Sequence, residues 1–132
     1  MTVRTVVVKG RPVSVNASSA AKMRWKNKVA AAASKVFPEP LEDIDLRIII
    51  TFYHNVMPDI DTDNMSKPIC DCLKGVVYHD DIQLMERHAR RRDLNGSFHI
   101  KGVEPDVAVA ITEGEDFVAI TVEKIGAGVV MI

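Results

Sequence analysis

Between Pro58 and Gln83 the chain concentrates carboxylates: Asp59, Asp61 and Asp63 at alternate positions, Asp71 further on, then the pair Asp80-Asp81. A hydrophobic core has no use for so many anions, because an ionised carboxylate buried without a partner is strongly destabilising or neutralises itself. In an extended segment alternate side chains point the same way, so Asp59, Asp61 and Asp63 can form one acidic row. An all-oxygen donor set of this kind suits Mg2+, with Mn2+ as a possible substitute, better than zinc. A calcium loop would place Asp59, Asp61 and Asp63 at its first, third and fifth positions. It would also demand Gly at the sixth and Glu at the twelfth, where this sequence has Asn64 and Cys70. A phosphatase-type Asp-x-Asp-x-Thr motif fails at Asp63, and a glycosyltransferase Asp-x-Asp would need a nucleotide-sugar domain for which the chain has no room. On spacing alone, Lys67 reads as a surface ion pair with Asp63 or Asp71, or as a cation set among acids to meet a phosphate. His79 and His88 could act as bases, but the carboxylate set is complete without them.

Charge is distributed as unevenly as the acids. The net charge of −1 hides a basic start, with eight Lys/Arg and no acid in residues 1–38, and an acidic centre, with ten acids against three bases in 39–81. Residues 82–101 return to five bases against two acids. An acidic centre between basic flanks suits a metal-dependent enzyme acting on a polyanion, though solvated faces would give the same pattern. Arg11, Lys22, Arg24, Lys26 and Lys28 on one flank, and Arg90, Arg91 and Arg92 on the other, are the candidate phosphate contacts. The start, Met-Thr-Val-Arg, has no apolar signal region and no run approaches membrane-spanning length. Cys70 and Cys72 are too close in sequence for a good disulfide and read as reduced, partly buried thiols of a cytoplasmic protein.

The elements that must position these residues follow from periodicity. Residues 3–8 read as a strand closed by Gly10 and Pro12. Ser18 or Ser19 can cap a helix over about 20–36, with Met23, Ala30 and Ala33 on one side, Trp25 as a core anchor or a platform, and its lysines facing water or a ligand. Residues 46–54 are the clearest strand, apolar on both faces and therefore central. The acidic row follows it. A helix then runs from 64–67 to Lys74, burying Met65, Ile69, Cys72 and Leu73, with Asp63, Lys67, Asp71 and Lys74 opposite, Pro68 in its first turn and Gly75 past its end. Residues 82–92 read as a strand, and Asn95-Gly96 as a hairpin turn into 97–101. Residues 105–113 alternate like a strand yet are bracketed by Pro105 and Gly114 like a helix, the weaker preference being helix. Residues 117–125 read as the last strand. These elements predict one domain over 1–132: a two-layer α/β (α+β) sandwich, a mixed sheet with helices mainly on one face.

Taken together, Asp61-x-Asp63-Asn64-x-x-Lys67-x-x-x-Asp71, then Gly75 and Asp80-Asp81-x-Gln83, resemble the RusA family of Holliday-junction resolvases of bacteria and their prophages. The match is close through 58–83 and looser through 11–36. The resemblance implies that Asp61, Asp63 and Asp81 are catalytic, metal-binding carboxylates and that Lys67 is the basic catalytic residue beside them. Asp80 and Asp71 occupy matched positions of less defined role, and Asp59 is an additional acid. It further implies Mg2+-dependent endonuclease action on four-way or other branched DNA by a homodimer that makes paired symmetric nicks. A non-catalytic module that binds branched DNA is the rival expectation. Val6–Val8 and 118–125 are candidate dimer surfaces if they are not core.

Overall fold

A computed structural model describes residues 3–58, 60–96 and 103–125. Among the described residues four strands, β1 (Val3–Lys9), β2 (Leu46–His54), β3 (Leu84–Asp93) and β4 (Phe117–Lys124), form one mixed sheet in the order β1-β4-β2-β3. β4 runs antiparallel to both β1 and β2, whereas β2 and β3 are parallel. Parallel neighbours need a crossover, and α2 (Thr62–Leu73) supplies it. β2 is internal, which is why both its faces are apolar.

Two helices cover one face. α1 (Ser19–Val36) is capped by Ser18, whose hydroxyl accepts from the Ala21 amide at 3.1 Å. Its buried stripe is Trp25, Val29 and Ala33, spaced four residues apart; Met23, expected inside, is 57% exposed. The i, i+4 row through Trp25 is the one that turns inward, so the bulky indole anchors the helix and Met23 is carried round to solvent. Beneath α1 and α2 lie Val6, Val8, Leu46, Ile48, Ile50, Phe52, Val118, Ile120 and Val122, all in one core. Burying one such aliphatic side chain contributes roughly 1.5–3 kcal/mol. These valines and isoleucines are therefore spent on the core and are not free to line a dimer contact. α3 (Pro105–Glu113) packs Val107 and Ala110 on the opposite face, against Phe117, Ala119, Val7 and Tyr53. It is a helix, begun by Pro105 and ended by Gly114 at φ 76°.

α2 begins earlier than its sequence suggests. Asp61 is its N-cap, so Pro68 lies well inside the helix rather than in its first turn. The proline ring leaves the Asn64 carbonyl without its helical donor. A buried face of Met65, Ser66, Ile69, Cys70, Cys72 and Leu73 holds the helix nonetheless. Both cysteines are free and buried; the Cys72 thiol donates to the Pro68 carbonyl at 2.8 Å. The turn at Asn95-Gly96 is present, Gly96 donating to the Asp93 carbonyl, but the expected hairpin partner at 97–101 lies outside the described residues, as does Asp59.

Candidate functional site

α2 displays the candidate residues along one exposed stripe. Asp63, Lys67 and Asp71 stand four residues apart and are all exposed, which at 1.5 Å per residue makes a row about 12 Å long. Asp61 heads it. One of its oxygens accepts from the Asn64 amide at 2.7 Å and the other from the Asn64 side chain at 3.3 Å. The Asp63 carboxylate has no hydrogen bond or ion pair with a described residue, while Lys67 reaches Asp71 at 3.5 Å.

The Asp80-Asp81 pair arrives from the far end of the crossover. Asp80 caps a single 3-10 turn (Asp81–Gln83) by accepting from the Ile82 amide at 3.1 Å. Gln83 is buried and locks that turn. Its Oε1 accepts from the amides of His79 and Asp80 at 2.9 and 3.1 Å, and its Nε2 donates to the carbonyls of Leu41 and Ile44 at 2.9 and 3.2 Å. Asp81 is thereby held out to solvent, 3.7 Å from Lys74 at the end of α2. Lys67, Asp71 and Asp81 line one depression of about 460 Å³, together with Cys70, Leu84, Met85 and Arg87. Asp61 and Asp63 lie outside it, at the N-terminal end of the same helix.

Arg87 was not among the residues singled out from the sequence. The register between β2 and β3 slips from Leu46↔Leu84 to Arg47↔Glu86, so that Met85 is the extra residue of a bulge. Leu84 and Arg87, three apart, then share the face beneath α2. Without the bulge, Glu86, His88 and Arg90 would follow Leu84 inward. The bulge instead turns Arg87, Ala89 and Arg91 toward α2. Ala89 packs on the core, and Arg91 donates to the Ile60 carbonyl at 3.1 Å, one residue before Asp61. Arg90 faces the other way, onto the Thr51 hydroxyl. The run Arg90-Arg91-Arg92 is thus divided between two faces by strand alternation.

The basic helix is divided in the same manner. Lys22 and Lys26 line a second depression with Val15, Lys67, Pro68, Asp71 and Cys72. Lys22 also donates to the Val15 carbonyl at 3.0 Å. Arg24 and Lys28 border a separate hollow beside Trp25 and Val13. Arg11 lies 3.4 Å from Asp116. Lys67 and Asp71 therefore form the ridge shared by a basic groove on the α1 side and the Asp81 depression on the β3 side. Burial raises the Cys72 thiol to about 11 and pushes the Tyr78 phenol upward. Neither group is poised for acid-base work near neutrality. Tyr78 instead donates to the Cys70 carbonyl at 2.7 Å.

In donor chemistry the exposed carboxylates of Asp61, Asp63 and Asp81 fit a hard divalent ion. Among the described residues, however, no three Asp, Glu, His or Cys side chains are gathered closely enough to hold one. No described helix is long and apolar enough to cross a membrane. A protein-family model described as Endodeoxyribonuclease RusA matches residues 4–112. A search of curated proteins returned no match.

Proposed function

Because the chain belongs to the RusA family of endodeoxyribonucleases, a family of Holliday-junction-resolving enzymes, we propose that it cuts four-way DNA junctions by paired symmetric nicks in a Mg2+-dependent reaction. The observation that supports this reading is the ridge of Lys67 and Asp71, with Asp81 on one side and the lysines of α1 on the other. A phosphodiester backbone laid along it meets cations and carboxylates in alternation, as binding and hydrolysis of a phosphate require.

In this reading Lys22 and Lys26 hold the phosphates that flank the cut, each contact releasing condensed counterions. Lys67 offers its ammonium to the phosphate whose charge grows in the transition state. Asp61, Asp63 and Asp81 would hold the divalent ion, with Mn2+ able to replace Mg2+. Bound there, such an ion would acidify water and neutralise phosphate charge. Mg2+ is commonly held by one or two carboxylates and completed by substrate phosphates, so the spaced acids would not all have to reach one ion. The Asn64 bonds hold Asp61 in place at the head of α2, Asp80 and Gln83 fix the backbone that carries Asp81, and Arg91 tethers the Ile60 carbonyl next to Asp61. Asp59 and Asp71 take accessory places in the acidic field.

A junction is resolved by two opposed nicks and the described residues of one chain carry one such ridge, which supports a two-fold homodimer as the working unit. Labelled four-way junction, flap and duplex DNA, incubated with purified protein in Mg2+ and in EDTA, test the reading. Paired nicks on the junction, abolished by EDTA, are expected. Cleavage of flaps with the junction left intact would move the substrate to another branched DNA, and binding without cleavage would leave a non-catalytic module. Mixing wild-type with Asp63→Asn protein should give heterodimers that nick one strand only, whereas paired nicks from a monomer would refute the dimer.

A further inference from the structure

Opposite Lys67, across the Asp81 depression, stands a cation that neither the acidic motif nor the Arg90–Arg92 run includes. We propose that Arg87 is a substrate-binding catalytic residue: its guanidinium grips a phosphate of the strand being cut from the β3 side, while Lys67 meets it from α2. The proposal rests on the nuclease reading above.

Three observations converge on this residue. The bulge at Met85 turns Arg87 under α2 and into the depression lined by Lys67, Asp71 and Asp81, and bulges beside active sites commonly re-aim a side chain in this way. Next, the carboxylates around Arg87 have other partners: Asp71 pairs with Lys67 and Asp81 with Lys74. Arg87 forms no ion pair with any described residue, unlike Arg47 on the neighbouring strand, which is claimed by Glu86 and Glu123. Its neighbour is the buried Cys70 thiol, whose ionisation it favours against the larger opposing effect of burial. Finally, Arg87 is exposed although its strand packs beneath a helix, so an incoming phosphate can reach it. A guanidinium presents five donors in a planar fork that matches phosphate oxygens in pairs, and Lys67 provides a point charge instead. The two differ in kind and approach from different elements, as a clamp requires.

In the hydrolysis, a water oxygen forms a new bond to phosphorus as the bond to the leaving sugar oxygen breaks. The water's proton passes to solvent or to that oxygen. Arg87 takes no part in the proton transfer; its guanidinium offsets the negative charge gathering on the non-bridging oxygens.

Arg87→Gln and Arg87→Lys test this. Under single-turnover conditions with Mg2+, R87Q should cut the junction roughly 100-fold more slowly, the usual effect of removing one transition-state donor. R87K should remain at least about 10-fold slow, because an ammonium cannot reproduce the fork. Junction affinity in EDTA should fall only a few-fold, with the salt slope reduced by about one. A neutral methylphosphonate placed in turn at the scissile phosphate and its neighbours should erase the R87Q penalty at one position, which a merely structural arginine would not do. R87Q cutting within about 3-fold of wild type, or a penalty untouched by every methylphosphonate, overturns the proposal. If wild-type protein cuts no branched DNA, the nuclease reading falls instead. An R87Q salt slope equal to wild type then overturns Arg87 as a phosphate ligand as well. If R87Q does not fold, R87K carries the same comparison.

Discussion

Gln83→Met is the perturbation that most directly probes how the Asp80-Asp81 turn is held. Methionine nearly conserves the volume, so the change isolates the amide's four hydrogen bonds, two accepted from His79 and Asp80 and two donated to Leu41 and Ile44. At about 1 kcal/mol net for each bond the four together contribute ~4 kcal/mol. His79 and Asp80 are exposed, so water can take over part of their two bonds, which leaves roughly 2–3 kcal/mol lost. For a domain of this size that lowers Tm by about 6–15 °C. Urea unfolding followed by far-UV circular dichroism gives the stability change, and single-turnover cleavage below the new Tm gives the functional one. If Asp81 works at the reacting phosphate, cleavage should drop by ten-fold or more while junction affinity holds, since displacement by about 1 Å can cost 100-fold in rate. Gln83→Glu keeps the two acceptor contacts but sets a carboxylate against two carbonyls. Its acidity would be weakened in the folded protein, so its stability should recover as pH falls. A Q83M protein within about 1 kcal/mol of wild type would show that the four bonds do not hold the turn.

Asp61→Asn, Asp63→Asn and Asp81→Asn should each abolish Mg2+-dependent cleavage with junction binding retained. The amide oxygen in Asp61→Asn can still cap α2, so the melting point of that variant should stay close to wild type while Asp61→Ala loses about 1 kcal/mol; near-normal turnover of any one of the three would remove that residue from the catalytic set. Lys22→Ala with Lys26→Ala should lower the salt slope of junction binding by about two, more than Arg24→Ala with Lys28→Ala; equal slopes would show that the two rows of α1 do not differ in their hold on DNA. The Arg47 hydrogen bond holds Glu86 below the ordinary carboxylate range, so Glu86 contributes stability above its unfolded pKa that is lost as pH falls through the lowered value. Thermal melts of Glu86→Gln should therefore lose less stability on acidification than wild type, and Arg47→Met should destabilise the protein at neutral pH.

Periodicity was enough for most of the fold. The β2 strand, the buried face of α2 and the last strand follow from spacing, a local signal; at 105–113 spacing alternates like a strand, and only the bracketing Pro105 and Gly114 point to the helix. Tertiary contacts decided the rest. Nothing in the α1 sequence says that the Trp25 row outweighs Met23, because that depends on the shape of the sheet beneath. Asp61 has cap chemistry that points to an earlier helix start, but Pro68 argues for a later one, and the buried apolar face settles the conflict. The acidic residues and Lys67 were legible because charge has no place in a core. Arg87 was not: its orientation depends on one extra residue at Met85, and alternation counted from Leu84 sends it to the wrong face.

The arginines of β3 have a second consequence, independent of any ligand. Among the described residues β3 is an edge strand of the sheet, and a long strand with an unpaired side is a template on which another chain can polymerise. Arg87, Arg90, Arg91 and Arg92 make the middle of that rim cationic, so two copies brought edge to edge would repel there. The same charges that would attract a polyanion thus act as gatekeepers against aggregation. Replacing them together with alanine to test DNA binding would also uncover a sticky β-edge. Concentration-dependent light scattering of such a variant should rise where wild type stays flat, and glutamate in place of alanine should restore solubility without restoring affinity.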